Sequence, residues 1–304
     1  MPRTALLNVM VGAASKAGRR LARDFGEVEN LQVSVKGPSD YVSRADRMAE
    51  QTIRDELAKA RPDYGFLGEE GEEVPSRDGR HRWIVDPLDG TTNFLHSIPV
   101  FAISIALERR TAGRGEIVAA VVYNPVSDEL FTAEKGSGAF LNDRRIRVAA
   151  RRRLEDAVVG NGMPHLGRGD HGRFLLQLRA VMARVAGSRR MGAAALDLAG
   201  VACGRLDGFW EEGLSPWDMA AGLLLVREAG GFATDLKGGD PLLAGDVVAG
   251  NERLHRALRE VLVEATGKAA PRAKAAATLA AEKDAVGTDG GKDARGGKDG
   301  APSA

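Results

Sequence analysis

The sequence predicts an α+β fold in which helices and sheets pack as layers. Three observations carry this. Helical and strand periodicities alternate along the first 266 residues, and several strands adjoin as hairpins rather than through crossover helices. A chain of 304 residues with 43% hydrophobic and 28% charged residues has the makeup of a globular protein, with length for one large domain or two small ones.

The elements follow in order. Leu6, Met10, Ala13, Ala17 and Leu21 recur at helical spacing, so 4–25 read as an amphipathic first helix. The apolar stretch 5–14 could pass for the core of a signal peptide, but it is short and broken by Asn8. A second helix spans 44–60. Phe66-Leu67 and Trp83-Ile84-Val85 are short apolar runs that end at Gly68 and at Asp86-Pro87, as buried strands do. Strands at 101–107 and 117–123 flank Gly113 and Gly115, and another at 130–133 precedes the turn Lys135-Gly136-Ser137-Gly138. Next come a helix at 171–186, a strand near Arg189, and a helix at 193–203 stopped by Gly204. A strand at 207–210 leads to a helix at 215–228 closed by Gly230-Gly231. The strand 246–249 and the helix 252–264 complete the body. No internal repeat is present.

Composition excludes several classes. The net charge is +1, which points to neither a nucleic-acid nor an acidic-lipid surface. One cysteine, Cys203, excludes a disulfide framework and a Cys-built zinc site. No apolar run reaches about 18 residues, so no segment is expected to span a membrane, and the expected compartment is the cytoplasm. The composition changes at Gly267. Residues 267–304 hold twelve Ala and seven Gly, no aromatic residue, and only Leu279 and Val286 as larger aliphatics. Such a segment buries too little apolar surface to offset the entropy of ordering it, so a disordered tail is expected after a body at 1–266.

The chemistry concentrates at Asp86-Pro87-Leu88-Asp89-Gly90-Thr91-Thr92-Asn93. Two carboxylates three residues apart follow an apolar strand. Pro87 fixes the backbone between them, and Gly90 permits a close approach or a positive φ. Thr91, Thr92 and Asn93 can open a helix whose N–H groups meet an anion. On spacing alone the two acids read equally as turn residues and helix caps. Gly68-Glu69-Glu70 sits at another strand end, where an exposed acidic loop is the plainer reading. Ser215-Pro216-Trp217-Asp218 opens a long apolar helix, and there a capping pattern and a metal ligand look alike.

The donor chemistry narrows the metal. There is no His-x-His pair, no Cys cluster and no His-Glu-x-x-His. Carboxylates, a hydroxyl and carbonyls are hard oxygen donors, suited to Mg2+ or Mn2+ more than zinc. Should Glu69, Asp86, Asp89 and Asp218 converge, each pair about 4 Å apart repels by roughly 4 kcal/mol at an effective dielectric near 20. Without cations such a pocket requires protonation or splaying.

Taken together and in order, three segments resemble the inositol monophosphatase family of Mg2+-dependent, lithium-sensitive phosphatases. They are Gly68-Glu69-Glu70, the stretch Trp83-Ile84-Val85-Asp86-Pro87-Leu88-Asp89-Gly90-Thr91-Thr92-Asn93-Phe94, and Trp217-Asp218 with the following Gly230-Gly231. The likeness covers most of 1–266. The run from Arg189-Arg190-Met191-Gly192 through Asp197-Leu198, and Phe209-Trp210-Glu211-Glu212-Gly213, resemble its bacterial branch.

The resemblance implies a layered α/β/α/β/α sandwich of the inositol monophosphatase and sugar phosphatase type, and a homodimer. It implies two or three Mg2+ per site, with Mn2+ able to substitute. One ion falls to Glu69, Asp86 and the Leu88 carbonyl, a second to Asp86, Asp89 and Asp218. Glu69, Thr91 and Asp46 form the catalytic group, Thr91 pairing with Asp46 to orient and deprotonate the attacking water. The N–H groups of Gly90 and Thr91 hold the phosphate. Glu211 binds substrate hydroxyls, with Gly192, Ala193 and Ala194 on the same side and Asp218 adjoining. Lys36 and Asp40 belong to an early loop over the metals. The implied reaction is hydrolysis of a small phosphorylated polyol, foremost myo-inositol 1-phosphate, with no covalent protein intermediate. Cys203 and the histidines are then spare: Cys203 reads as core packing, His96 follows the phosphate loop and could touch substrate, and His165 and His171 read as surface residues.

Other readings stay open. Histidinol phosphate, fructose 1,6-bisphosphate and 3′-phosphoadenosine phosphate phosphatases share this metal site. Some bacterial relatives also serve the transcription machinery, and Arg144-Arg145, Arg151-Arg152-Arg153 and Arg189-Arg190 are the basic contacts such a binding role would use, although such runs commonly form a solvated face.

Overall fold

Apolar residues at helical spacing build the first layer. In the computed structural model, which describes residues 3–31, 38–111, 113–164 and 169–267, helix α1 (Ala5–Leu31) buries Leu7, Met10, Ala14, Ala17 and Leu21. Helix α2 (Pro38–Ala60) buries Ala45, Ala49, Ile53 and Leu57 against it. The 5–14 stretch is thus the start of α1. Asp40, expected in a loop, falls within α2, where its backbone continues the helix. Lys36, His165 and the expected tail beyond Gly267 lie outside the described residues.

Both helices cover one face of a seven-stranded sheet. Its strands are β1 (Gly65–Gly68), β2 (His81–Asp89), then after the short helix α3 (Thr91–Leu95) β3 (Ala102–Thr111), β4 (Arg114–Asn124), β5 (Glu129–Glu134), β6 (Gly138–Leu141) and β7 (Arg144–Ile146). They lie side by side in chain order, β1 parallel to β2 and the rest antiparallel. Strict alternation serves both faces. Trp83, Val85, Ile103, Ile105, Leu107 and Val121 pack with α1 and α2, while Ile84, Ala102, Ala106, Ala120 and Val122 join the core on the other side. A register shift beside Leu107 and Glu108 turns Ile117 to that second face, opposite to Ala119.

The remainder forms three more layers. The elements are β8 (Val158–Asn161), α4 (His171–Met182), β9 (Gly187–Arg189), α5 (Ala194–Ala202), β10 (Gly208–Glu211), α6 (Pro216–Glu228), β11 (Phe232–Thr234), α7 (Pro241–Ala244), β12 (Val247–Gly250) and α8 (Glu252–Gly267). The second sheet runs β11-β12-β10-β8-β9. Phe209, Val247 and Ala249 face α5 and α6, which lie between the sheets. Trp210 and Val248 face α4 and α8 with Phe174, Leu254, Leu258 and Leu262. The stack is α/β/α/β/α, as the resemblance implied. Met219 to Val226 are buried without a break, as a helix enclosed by two sheets requires.

Several details differ from the sequence reading. Gly115 lies inside β4 rather than in the turn, and α4 ends at Met182, where Ala183 and Arg184 tighten into a turn. The strands β6, β7, β8 and β11 have three or four residues each, too few to show a period. No helix among the described residues is long and apolar enough to cross a membrane.

Gly222 sets the contact of α5 with α6, because a Cβ there would stand 2.5 Å from the Cβ of Leu198. Gly222→Ala should lower the unfolding free energy by about 1–3 kcal/mol through overpacking, despite alanine's better helix propensity. Gly12→Ala, on the exposed side of α1 with nothing within 4 Å of the added carbon, should raise it by about 0.4–1 kcal/mol. Urea denaturation of the two variants checks both signs.

Candidate active site

Strand β2 brings the two motif acids onto one face by a bulge. Asp86 pairs with Ser104 and Asp89 with Ala102, so three steps along β2 match two along β3. In a regular strand residues three apart face opposite sides of the sheet. Pro87 sits within the irregular stretch, where its missing N–H breaks no regular ladder. The Ser104 hydroxyl donates to the Trp217 carbonyl at 3.2 Å, and Ala102 belongs to the core between the sheets, so this face looks toward α5 and α6.

Three carboxylates are each anchored through one oxygen. Asp86 Oδ1 accepts from the Leu88 N–H at 2.9 Å, Asp89 Oδ2 from the Ala195 N–H at 2.7 Å, and Asp218 Oδ2 from the Ser215 N–H at 2.7 Å. Such anchoring fixes the plane of each group before any ligand arrives. Ala195 lies in the first turn of α5, whose dipole favours the Asp89 charge. Asp218 closes a capping box with Ser215, and Pro216 stands at the first helical position. The cap is therefore real, and it orients the same carboxylate that the family resemblance names as a ligand.

Glu69 follows β1, whose buried Gly68 is in register with Val85, so the exposed Glu69-Glu70 turn stands beside Asp86. That turn wraps a carboxylate the sequence reading missed. Glu50 Oε2 accepts from the Glu70 N–H at 2.9 Å, and a Cβ at Gly68 would lie 2.2 Å from the same oxygen. Glu50 and Asp46 are one turn apart on α2, both buried, and Asp46 Oδ1 has no hydrogen-bond partner. The Thr91 hydroxyl donates to the Leu88 carbonyl at 3.0 Å, not to Asp46 as expected.

Helix α3 begins at the motif as anticipated. Gly90 is its N-cap at φ 91°, and no side chain caps it. A Cβ at Gly90 would lie 2.8 Å from the Val100 carbonyl and 3.2 Å from the Ala193 Cβ, so the glycine lets this loop touch the start of α5. Asn93 Nδ2 ties the two loops, donating to the carbonyls of Val100 and Met191 at 2.7 and 2.9 Å. Gly192 at φ 86° turns the chain before Ala193 caps α5 and Ala194 opens it. Glu211 ends β10 and lines, with Asp218, Trp210 and Glu212, a cavity of 140 Å³. His96 caps α3 on the surface and His171 starts α4, both exposed. Cys203 caps α5 against the core, its thiol pushed up by burial.

Burial and like charge govern the electrostatics. Asp86 is raised well above the carboxylate range by burial, then by Asp89, Glu69, Asp218 and Asp46. Asp89 is raised by burial and by Asp218, Glu211 and Asp197, against the opposing Ala195 N–H. Burial, with Glu70, Glu69 and Glu50, pushes Asp46 up to about 8. Burial and Glu211 push Asp197 to about 8, and burial and Asp218 push Glu211 to about 7, with Arg190 pulling both down. Among the described residues no three acid, histidine or cysteine side chains close into a ready coordination shell. The donors nevertheless fit a hard divalent cation: all are oxygens, three are held by backbone N–H groups, and Asp46, with one oxygen lacking a hydrogen bond, adds its field to Asp86.

Comparison with known proteins agrees with this fold. The model of the inositol monophosphatase family matches residues 3–269. The protein named inositol-1-monophosphatase of Rhizobium meliloti (strain 1021) is 70% identical over 263 residues, 86% of this chain and 97% of that one. The protein named Nus factor SuhB of Pseudomonas aeruginosa is 46% identical over 258 residues, 83% of this chain and 94% of that one. The crystal structure of the extragenic suppressor protein suhB from Bartonella henselae superposes with a TM-score of 0.78 at 63% identity, covering 85% of this chain and 98% of that chain.

Raised carboxyls bind protons more tightly folded than unfolded. Their contribution to stability is complete below the ordinary carboxylate pKa and is lost as pH rises through about 7 for Glu211 and about 8 for Asp46 and Asp197. The metal-free melting temperature should therefore fall between about pH 5 and pH 8.5, and Mg2+, competing with those protons, should restore more of it at the higher pH. Differential scanning fluorimetry with and without Mg2+ reads both trends.

Proposed function

The chain belongs to the inositol monophosphatase family, and from that premise we propose that it is a Mg2+-dependent phosphatase that hydrolyses a small phosphorylated polyol, foremost myo-inositol 1-phosphate. The observation that carries the reading is the trio of carboxylates, Asp86, Asp89 and Asp218, each fixed by a backbone N–H where the first sheet meets α5 and α6. Glu69, Asp86, the Leu88 carbonyl, Asp89 and Asp218 would hold two or three Mg2+, or Mn2+ in their place. The metal supplies charge neutralisation at the phosphate and lowers the pKa of water.

The chain's own groups do the rest. The first N–H groups of α3, from Gly90 and Thr91, meet phosphate oxygens. With its proton on the Leu88 carbonyl, the Thr91 oxygen is an acceptor that orients the attacking water. Asp46, with one oxygen unpaired, suits a group that takes up the water's proton once bound cations have displaced its own. Neither step needs a covalent intermediate. Glu211 would accept hydrogen bonds from hydroxyls of the substrate's alcohol half, with Gly192, Ala193 and Ala194 lining the same side.

The cavity also bears on the competing substrates. Glu211, Glu212 and Asp218 line it, so a second phosphate on the alcohol half would meet carboxylates. This favours a monophosphate over fructose 1,6-bisphosphate and 3′-phosphoadenosine phosphate, and leaves histidinol phosphate as the nearest rival. A homodimer and lithium sensitivity belong to the same proposal. A second reading, an accessory of the transcription machinery, draws on the relatives named Nus factor SuhB. Of its basic residues, Arg151 pairs with Asp207, Arg153 with Glu155 and Asp156, and Arg144 and Arg145 are exposed on the edge strand β7.

Phosphate release from inositol 1-phosphate should require Mg2+ and exceed release from the bisphosphates and histidinol phosphate. Asp89→Asn should lower it by about 100-fold or more. A variant without hydrolysis that still rescues a deletion strain would favour the accessory role.

A further inference from the structure

The carboxylate of Glu211 occupies space that only a glycine leaves. A Cβ built on Gly162 would stand 1.7 Å from the Glu211 Cδ and 2.0 and 2.2 Å from its two oxygens. Gly162 follows β8 directly and is held there, its N–H donating to the Trp210 carbonyl at 3.1 Å. Its φ is not in the left-handed region, so backbone conformation does not demand glycine. The space itself does.

The next residue is clamped from the other side. The Arg173 Nε donates to both oxygens of Glu212 at 3.0 and 2.7 Å, and the buried Gln177 donates to Glu212 Oε1. Both donors lie on α4. Beyond it the chain is pinned by the Leu214 N–H on the Gly245 carbonyl at 2.7 Å. Two acidic side chains in succession thus have fixed seats, one over a bare Cα and one held by the Arg173 Nε–H and the Gln177 amide.

We propose that Gly162, together with the Arg173–Glu212 clamp, seats the Glu211 carboxylate and thereby determines selectivity for alcohols that offer it hydroxyl donors. The inference rests on the reading of Glu211 as the group that meets the substrate's hydroxyls. Gly162 and Arg173 are positioning residues: they act through Glu211, not on the reacting atoms. The clash at Gly162 falls on the far end of a flexible side chain, so alanine there displaces the carboxylate while the surrounding backbone keeps its course.

The test is a double-mutant cycle with two esters, inositol 1-phosphate and p-nitrophenyl phosphate, which has no hydroxyl donors on its alcohol half. Gly162→Ala should lower the ratio of kcat/KM for the first ester over the second by about 10- to 100-fold, chiefly through KM, as expected for losing hydrogen bonds to a charged group. On a Glu211→Ala background the same substitution should change that ratio by less than about twofold, since residues acting as one unit are not additive. Arg173→Ala should shift the ratio the same way, and Arg173→Lys should recover part of it. In a Gly162→Ala protein that melts as the wild type does, equal losses on both esters, or full additivity with Glu211→Ala, overturn the inference while leaving the phosphatase reading intact. Should Gly162→Ala fail to fold, the Arg173→Ala and Arg173→Lys pair carries the same test, and an unchanged ratio in both overturns the inference. Wild-type protein that hydrolyses neither ester with Mg2+ overturns the phosphatase reading and this inference with it.

Discussion

Repulsion between buried carboxylates constrains one whole end of this molecule. Asp86 lies in the field of Asp89, Glu69, Asp218 and Asp46, and burial removes the water that would screen them. The acids arrive from β1, β2, α2 and α6, so they meet only once the first sheet has packed against both helical layers. The fold holds three of them with backbone donors. Leu88, Ala195 and Ser215 each give one N–H to one carboxylate. Arg190 is the cation that tempers Glu211 and Asp197. An arrangement that is unfavourable as anions is one that a divalent cation would relieve, which is why these acids are proposed as its ligands.

Local irregularity makes this geometry. The bulge in β2 puts Asp86 and Asp89 on one face, and the positive φ of Gly90 turns the chain into α3 against α5. Asn93 then joins the two loops that would frame the proposed phosphate position. On α6 a helix cap and a proposed ligand position coincide, since Asp218 caps with the oxygen that Ser215 holds. The site therefore sits on rigid element ends.

The sequence showed much of this because long periods and ordered motifs are strong signals. Helices α1, α2, α5, α6 and α8 and strands β2 to β5 were readable from apolar spacing. The layered stack was readable only through resemblance, since no single strand says which sheet it joins. The motif acids were legible for the same reason. Glu50 was not, because a lone acid on a helix carries no pattern; its place beside Asp46 on the face buried by Ala49 and Ile53 was the available clue. The Thr91 hydroxyl went to Leu88 and not to Asp46, a choice of hydrogen-bond partner that spacing does not encode. Gly162 was equally silent, for its meaning lies in a side chain from another strand.

The most direct measurement is anomalous scattering at the manganese edge from crystals grown with Mn2+. The account predicts peaks bounded by Asp86, Asp89 and Asp218, with Glu69 and the Leu88 carbonyl completing the shell, and their loss in Asp89→Asn. Manganese bound elsewhere, or no peak at that end of β2 in protein of full activity, would contradict it.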